Sequence, residues 1–330
     1  MRVYITGATG YVGSRLVPRL LNKNHEIICL LRSPEDYIDH DIYKRCRLIK
    51  GDITDRETIK NTMAHIDVVV HLAVSTPLTN KQNDTEIYNR VNVIGTANIL
   101  NECLVSGIKR ILCFTSSAAI GMPKTPIIDE NTPLNPVNNY GRSKRDAEQL
   151  ISSFVDKYNL PVLTICFPHI YGPGDRYEFL KIVKMIKRGI LPQVGFSPNL
   201  LPSVYISDAV NAIILAMKKG KAGEKYIIAD DDPHDTKVIR RLVLRNLGID
   251  RKTYLFVPKY FGIFIAYILE VLYGFIGDAS PVKVENIKMI TAGRRISIEK
   301  AKKDLDFLPV VRLEEGIKKT IGWYKQEGLI

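Results

Sequence analysis

Short apolar runs, each followed by a turn and then by a helical pattern, recur along the first half of the chain. Residues 2–6 form the first run, and apolar side chains at helical spacing begin at residue 14. Similar apolar runs bounded by turn residues cover 26–31, 47–50, 67–73 and 110–114. Strands that alternate with helices in this way predict an α/β fold with a parallel sheet.

The first turn holds three glycines at the spacing G-x-x-G-x-x-G. Gly7 permits a tight turn, and Gly10 lets backbone N–H groups approach a pyrophosphate at the start of the helix. Gly13 allows that helix to pack closely on the strand. Because the turn lies between a strand and a helix, it predicts a dinucleotide site that includes Tyr11 and Val12.

The ends of the next two strands carry the residues that would contact the far side of such a dinucleotide. Arg32 follows the second strand where an NAD site would have an acid, so the sequence favours NADP(H). Glu35 and Asp36 follow closely and leave NAD(H) open. After the third strand, the Asp52 carboxylate can accept from an adenine amino group beside Ile53, although it can also cap a helix.

The run at 67–73 is apolar enough for a central strand of a parallel sheet. Ligands of open α/β sheets bind at the carboxyl ends of the strands, so Leu72 and Ala73 are expected to line the cofactor crevice. We interpret His71 as a hydrogen-bonded framework residue rather than an acid or base.

Tyr140 and Lys144 are four residues apart, which places their side chains on one face of a helix. Keeping a tyrosine ionised near pH 7 requires roughly 4 kcal/mol of preferential stabilisation, and a fixed ammonium can supply part of it. Ser116 and Ser117 follow the strand at 110–114 within reach of that helix, although serines at a strand end are often turn or cap residues.

The chain resembles one family in the order of its motifs along nearly its whole length. That family is the extended short-chain dehydrogenases/reductases, also called the NAD-dependent epimerase/dehydratase family. The resemblance rests on Gly7, Gly10 and Gly13, Gly51-Asp52, His71-Leu72-Ala73, Asn92 with Gly95-Thr96, Ser116-Ser117, Tyr140-x-x-x-Lys144, Tyr171-Gly172-Pro173-Gly174, Tyr205-Ile206-Ser207-Asp208-Ala209, Lys300-Ala301-x-x-x-Leu305 and Leu313-Glu314-Glu315-Gly316-Ile317.

The resemblance implies roles for individual residues of the catalytic centre. Tyr140 would exchange a proton with the substrate oxygen, and Lys144 would hold the nicotinamide ribose and lower the Tyr140 pKa. Ser117 would hydrogen-bond the same substrate oxygen, while Pro168 would border the nicotinamide. The candidate residues of the substrate pocket are Ser75, His169 and Tyr205; His169 has a structural alternative, and no metal site is expected.

The resemblance also implies a Rossmann fold, that is, a doubly wound parallel sheet, with a smaller C-terminal α/β substrate lobe. We expect residues 1–171 to form the dinucleotide-binding domain, to which 201–222 return. Residues 172–200 and 223–330 would mainly form the substrate lobe and the C-terminal helices. A homodimer is expected through the helix at 84–106 and the helix that begins near Ser143.

Several departures from the family's motifs narrow the range of reactions expected for this chain. Sugar-nucleotide 4,6-dehydratases of the family carry an Asp-Glu pair shortly after the serine, where this chain has Ala118-Ala119-Ile120-Gly121, which argues against elimination of water. Sugar-nucleotide epimerases usually have diphosphate-binding Asn and Arg residues where this chain has 168–170 and 200–204. The chain is more similar to the branch of hydroxysteroid dehydrogenases, dihydroflavonol reductases and hopanoid-associated epimerase-like proteins.

The leading interpretation is an NAD(P)-dependent oxidoreductase that transfers hydride to or from a secondary alcohol or ketone through Ser117, Tyr140 and Lys144. One alternative is a nucleotide-sugar epimerase, such as one for UDP-sugars, with tightly bound NAD. The other is a catalytically silent NADP-sensing protein. The intact triad argues against the silent protein, because silent members commonly lose at least one of these residues.

Composition adds a charge pattern and one unusual segment. The net charge is +12, and residues 176–330 hold 27 basic and 17 acidic residues. Residues 260–276 carry a single charge and are short for crossing a bilayer, so we interpret them as a helix packed on the substrate lobe or as a peripheral membrane surface. No nucleic-acid motif is present, and the five cysteines lack C-x-x-C spacing, as expected of reduced core thiols. A chain that begins in a strand predicts a cytoplasmic protein.

Overall fold

A parallel sheet forms the centre of the computed structural model, which describes residues 1–77, 84–250, 255–275, 280 and 282–330. In chain order the strands are β1 (Arg2–Thr6), β2 (Glu26–Leu31), β3 (Arg47–Lys50), β4 (Val68–His71), β5 (Ile111–Ser116), β6 (Ile127–Ile128), β7 (Val162–Phe167), β8 (His169–Tyr171), β9 (Gln193–Val194), β10 (Leu200–Leu201), β11 (Ser203–Tyr205), β12 (Lys225–Ile227), β13 (His234–Asp235), β14 (Phe256–Val257) and β15 (Arg295–Ile296). The main sheet has the order β3-β2-β1-β4-β5-β7-β12, and all its pairs are parallel.

Helices connect these strands and cover the sheet. They are α1 (Gly13–Leu21), α2 (Arg56–Ile59), α3 (Thr85–Tyr88), α4 (Gly95–Val105), α5 (Ser117–Ile120), α6 (Asn139–Tyr158), α7 (Glu178–Arg188), α8 (Ile206–Lys219), α9 (Thr236–Leu247), α10 (Lys259–Phe275), α11 (Val284–Ile290), α12 (Glu299–Leu305) and α13 (Leu313–Gln326). A π-helical segment, Asn89–Ile94, joins α3 to α4.

Side chains that alternate along the central strands divide the core into two layers. Val3 and Ile5 of β1 pack with Leu16 of α1 in one layer. Tyr4 between them packs with Ile99 of α4 in the other. Because successive strand residues point to opposite faces, both faces of the sheet are covered by helices. The predicted doubly wound Rossmann sheet is confirmed.

The second lobe is built from short strand pairs around the helices α7, α9, α11 and α13. Strand β8 pairs with β11, β9 with β14, β10 with β13, and β6 with β15. Strand β12, which falls within the range 223–330 assigned mainly to this lobe, instead forms an edge of the main sheet. Three residues of strand are too short a pattern to reveal that pairing in advance.

The segment predicted at 260–276 is helix α10, and Ile276 lies outside the described residues. Within α10, only Gly262 and Ala266 are buried. The helix therefore leaves most of its apolar side chains exposed, unlike a helix enclosed by the lobe. In the described part of the chain, no helix combines the length and hydropathy needed to cross a membrane.

Candidate functional site

The glycine turn lies against the end of β4, where the backbone leaves no space for a side chain. Gly7 has φ +70°, and a Cβ on it would lie 2.7 Å from the Ala73 nitrogen. A Cβ on Gly13 would lie 2.2 Å from the Gly7 oxygen, so helix α1 can approach the strand only through glycine. This arrangement brings the start of α1 to the carboxyl edge of the sheet, beside Leu72 and Ala73.

The N-terminus of α1 has the properties of an anion site. No side chain caps it, and its first turn contains no acidic residue. The start of a helix attracts negative charge, and here Gly10, three residues before the first helical residue, is exposed. The residues present therefore fit the pyrophosphate of a nicotinamide dinucleotide. Tyr11 and Val12 contribute backbone to this turn, and the Tyr11 ring lies under the Arg15 guanidinium at 5.5 Å.

Arg32 is exposed at the end of β2. In the described part of the chain no hydrogen bond or ion pair engages its guanidinium. The nearest acid in sequence, Glu35, is within 3.6 Å of Lys50. The end of β2 therefore presents a basic side chain, Arg32, and the nearest acid is paired with a lysine.

Asp52 and Ile53 follow β3, as the sequence suggested. One oxygen of Asp52 accepts from the Thr54 N–H at 2.8 Å and so fixes the turn. The helix cap that the sequence left open for Asp52 is made by Asp55, which accepts from the Glu57 N–H. Ile53 is buried.

His71 has partners at both ring nitrogens. Its Nδ1 lies 2.7 Å from the Thr6 hydroxyl, and its Nε2 lies 3.1 Å from the Thr96 hydroxyl. Burial, with a smaller contribution from the Lys144 charge, lowers the pKa of His71 to about 3. The ring is neutral at pH 7 and joins β1, β4 and α4, which confirms the framework interpretation.

Helix α6 presents Tyr140 and Lys144 to the end of β5. The Asn138 side chain caps the helix by accepting from the Gly141 N–H at 2.7 Å. A Cβ on Gly141 would lie 2.4 Å from the Ala118 oxygen, so glycine is required for α6 to approach α5. Cap and glycine together fix the first turn of α6, which carries Tyr140.

The two side chains are anchored to the same strand. The Tyr140 phenol lies within hydrogen-bonding reach of the Ser116 side chain, and the Lys144 ammonium donates to the Phe114 carbonyl oxygen at 2.5 Å. Lys144 is 7% exposed, so it does not turn outward to water. Burial lowers its pKa to about 8, which leaves it mostly charged at pH 7.

One expectation about this centre needs correction. Burial raises the pKa of Tyr140, and this effect outweighs the hydrogen bond from Ser116, so the expected lowering by Lys144 is not what the geometry gives. Ser116, the serine beside the phenol, accepts from the Ala118 N–H. Ser117 is the first residue of α5, and its predicted contact with substrate stays a prediction.

Asn92 holds the site together, a role that the sequence did not reveal. Its side chain accepts from the Ser75 N–H at 2.8 Å and donates to the Ser75 carbonyl at 3.0 Å. It also donates to the Ser143 hydroxyl on α6 at 2.9 Å. Asn92 lies in the π-helical segment. Helical periodicity in the sequence does not reveal such an irregularity, so the position of this side chain could not be predicted. Ser75, a predicted substrate residue, is itself buried.

His169, the first residue of β8, forms a pair with Glu178 of α7. Its Nδ1 lies 2.7 Å from the Glu178 carboxylate, and its side chain is 10% exposed. Burial lowers the pKa of His169, but the hydrogen bond and charge of Glu178, together with Asp175, raise it overall. Pro168, half-buried beside it, follows β7 at the carboxyl edge of the sheet, as expected of a residue that borders the nicotinamide.

Tyr205 was expected to line the substrate pocket, but the structure places its ring in the core. The ring is 5% exposed and meets Tyr171 edge-on at 5.5 Å. It also lies where a Cβ on Gly316 of α13 would contact it at 3.0 Å. Packing between the lobes accounts for this tyrosine.

Comparison with known proteins agrees with this geometry. The sequence matches the NAD dependent epimerase/dehydratase family over residues 3–229. It is 28% identical over 349 residues to the decarboxylating sterol-4-alpha-carboxylate 3-dehydrogenase of Saccharomyces cerevisiae, covering 99% of this chain and 98% of that protein. It is 26% identical over 328 residues to UDP-glucose 4-epimerase of Vibrio cholerae, covering 96% and 94%.

Solved structures share the fold of this chain. The crystal structure of gox2253 superposes with a TM-score of 0.82 at 26% identity and covers 99% of each chain. UDP-glucose 4-epimerase of Thermotoga maritima gives a TM-score of 0.77 at 20% identity, a likeness of fold alone. With a family match over more than half of its length and the glycine turn, Tyr140 and Lys144 at the sheet edge, the chain belongs to the NAD dependent epimerase/dehydratase family of extended short-chain enzymes.

Proposed function

We propose that this enzyme is an NADP(H)-dependent oxidoreductase that acts on a secondary alcohol or ketone of an apolar ring compound. The observation that carries the proposal is the pair on α6: the Tyr140 phenol lies beside Ser116 at the carboxyl end of β5, and the Lys144 ammonium donates to the Phe114 carbonyl oxygen of the same strand. An acid or base at this edge lies where open α/β sheets bind their ligands.

The residues that would hold the cofactor are distributed along the sheet edge. The turn at 7–13 would take the pyrophosphate, Asp52 and Ile53 the adenine, and Pro168 the nicotinamide. When bound, the nicotinamide donates or accepts the hydride. Lys144 would hold the ribose. To do so, its buried ammonium would have to give up its hydrogen bond to the Phe114 carbonyl and donate to a ribose hydroxyl instead.

Tyr140 would move the proton. Its raised pKa keeps the phenol protonated at neutral pH, so the chain by itself is set to donate a proton to a carbonyl oxygen. The reverse reaction requires a phenolate, which the Lys144 ammonium and the positive oxidised nicotinamide ring would both stabilise. Ser117 would hydrogen-bond the same substrate oxygen.

The preference for NADP(H) is supported by Arg32. A guanidinium with no protein partner in the described residues can pair with a 2′-phosphate in two parallel hydrogen bonds, which a ribose hydroxyl cannot match. Glu35, the acid that could serve NAD, faces Lys50.

The substrate class is supported by one of the relatives and by the residues of α5. Sterol-4-alpha-carboxylate 3-dehydrogenase, similar over 99% of this chain, is named for a secondary alcohol on an apolar ring. Ala118 and Ala119 of α5 supply no carboxylate for the elimination that a 4,6-dehydratase performs.

The test is a panel of alicyclic and sterol alcohols and ketones, including 4-carboxysterols, with absorbance of the reduced nicotinamide as the signal. Wild type should turn over at least one member faster with NADP(H) than with NAD(H). Tyr140→Phe should lose about 10²- to 10⁴-fold of that rate. Tyr88→Phe is the matched control, because its ring packs 5.8 Å from Tyr140 without a place in the proton transfer. A Tyr140→Phe enzyme with wild-type turnover would refute the assignment.

A second candidate, a UDP-sugar epimerase, is supported by the Vibrio cholerae relative, which matches 96% of this chain. An epimerase returns the hydride to its own substrate and retains the cofactor. Mass spectrometry of ligands that copurify with the protein, followed by incubation with UDP-sugars, separates the two. Bound NAD and an epimerised sugar without net cofactor consumption would replace the first proposal.

A further inference from the structure

Helix α10 exposes more large apolar side chains than any other helix in the described part of the chain. Between Tyr260 and Phe275, both 84% exposed, the side chains of Phe264, Tyr267 and Leu272 are 55% to 60% exposed. Single apolar residues on a surface are ordinary, but contiguous patches above a few hundred Å² mark interaction sites. The outer face of α10 is such a patch.

A narrow seam attaches this helix to the protein. Gly262 and Ala266, one turn apart, are its buried residues. Ala266 packs in a small cluster with Val194 and Ile287. Ile263 is partly buried and packs against the same cluster, while most of the larger side chains of α10 are directed outward.

The exposed face also lacks charge. Glu270 is the one charged residue between Tyr260 and Phe275, and its carboxylate accepts from the Val284 N–H at 3.3 Å. It therefore points toward α11. Near the start of the helix, Phe196 is 90% exposed and its ring packs at a tilt against Phe256, with the ring centroids 5.0 Å apart, which extends the apolar surface beyond α10.

We propose that the outer face of α10 lies in the surface of an anionic lipid membrane, parallel to its plane, with the aromatic and aliphatic side chains among the acyl chains. The helix has 17 residues and carries an inward carboxylate, which suits a helix that lies on a bilayer. Tyrosines near such a boundary place their rings in apolar surroundings and their hydroxyls at the headgroups.

Charge distinguishes this partner from a second copy of the chain. The net charge is +12, and residues 176–330 hold 27 basic against 17 acidic residues. The cations Lys259 and Lys288 are exposed at the start of α10 and on the neighbouring α11. Anionic headgroups attract these groups, whereas a second copy would bring the same positive charge against them. The proposal does not depend on which reaction the enzyme catalyses.

The test is flotation of the purified full-length protein with vesicles of phosphatidylcholine, with and without phosphatidylglycerol. Wild type should float with the anionic vesicles and bind less to phosphatidylcholine alone. Binding should fall as salt is raised, because screening shortens the reach of the lysines. A protein that stays with the soluble fraction in every mixture would overturn the proposal.

Two matched double variants distinguish the loss of the apolar face of α10 from the effect of added negative charge. Phe264→Glu with Leu272→Glu changes α10, while Leu308→Glu with Val310→Glu adds the same charge at residues that are 60% and 74% exposed elsewhere. The first should lower the vesicle partition coefficient at least about tenfold, and the second should leave it within about twofold.

Circular dichroism and melting should show that both proteins fold. Equal binding by the two double variants would refute the role of α10. Size-exclusion chromatography tests for a second copy as the partner. A dimeric wild type and a monomeric α10 variant, neither of which binds vesicles, would show that the outer face of α10 joins two copies of the chain.

Discussion

Helices α6 and α10 have similar lengths, 20 and 17 residues, but the protein uses them in opposite ways. Helix α6 has a mixed sequence and buries Lys144, Ile151 and Phe154 against the sheet. Helix α10 is almost entirely apolar and buries only two small residues. Burial thus depends on what the fold places opposite a helix. The polar residues that the sheet does enclose, Lys144 foremost, have the perturbed pKa values expected of a catalytic centre.

The sharpest test of this contrast is the same truncation in each helix. Phe154 of α6 is 8% exposed and Phe264 of α10 is 58% exposed. Phe154→Ala should lower the free energy of unfolding by about 3–5 kcal/mol, because it leaves a cavity. Phe264→Ala should change it by less than about 0.5 kcal/mol. Urea unfolding measures both, and similar losses would show that α10 is enclosed as tightly as α6.

Lys144→Met tests whether burial of the ammonium is costly. Because the pKa of Lys144 falls from 10.5 to about 8 on folding, the unfolded chain holds more protons between these values, and wild-type stability should rise with pH across that window. The variant should lack this rise and be more stable at pH 7 by up to roughly 3 kcal/mol, although inactive. Unfolding at several pH values gives the answer, and parallel pH profiles would contradict it.

The two serines where β5 becomes α5 offer a smaller and more specific effect. Ser117→Ala should lower kcat by about 10²-fold, since it removes a donor to the reacting oxygen. Ser116→Ala should lower the free energy of unfolding by about 1 kcal/mol, because Ser116 caps α5. Turnover rates and melting curves of both variants measure these two effects. Loss of kcat in Ser116→Ala alone would transfer the catalytic role to Ser116.

Arg32→Ala should give the smallest effect. The loss of a charge-assisted contact with the 2′-phosphate is expected to raise KM for NADPH by about tenfold and to leave KM for NADH unchanged. Arg188→Ala, an exposed arginine on α7, serves as the control. Equal changes in both KM values would place Arg32 away from the phosphate.

The sheet and the glycine turn were predictable because local patterns specify them. Apolar runs indicated the central strands, and the spacing of Gly7 and Gly13 indicated a contact that only glycine permits. The Tyr140 and Lys144 pairing followed from helical periodicity. Each of these features is determined by residues that are close in sequence.

Other features depend on contacts between distant residues. Which serine lies beside Tyr140 depends on the backbone direction where β5 becomes α5, which residue types do not reveal. Tyr205 belongs to the core because α13 packs over it. An apolar segment such as α10 likewise gives no sign of what covers it. The second lobe, with its two-residue strands, offers too little periodicity to predict.

The central claim is that Tyr140 exchanges the proton while hydride passes between nicotinamide and a substrate carbon. It is tested most directly by supplying NADPH deuterated at the transferable position and following the label into the alcohol product by mass spectrometry. The account predicts deuterium on the carbinol carbon with wild type and with Tyr88→Phe, and almost none with Tyr140→Phe. Equal labelling by Tyr140→Phe, or an unlabelled product from wild type, would contradict it.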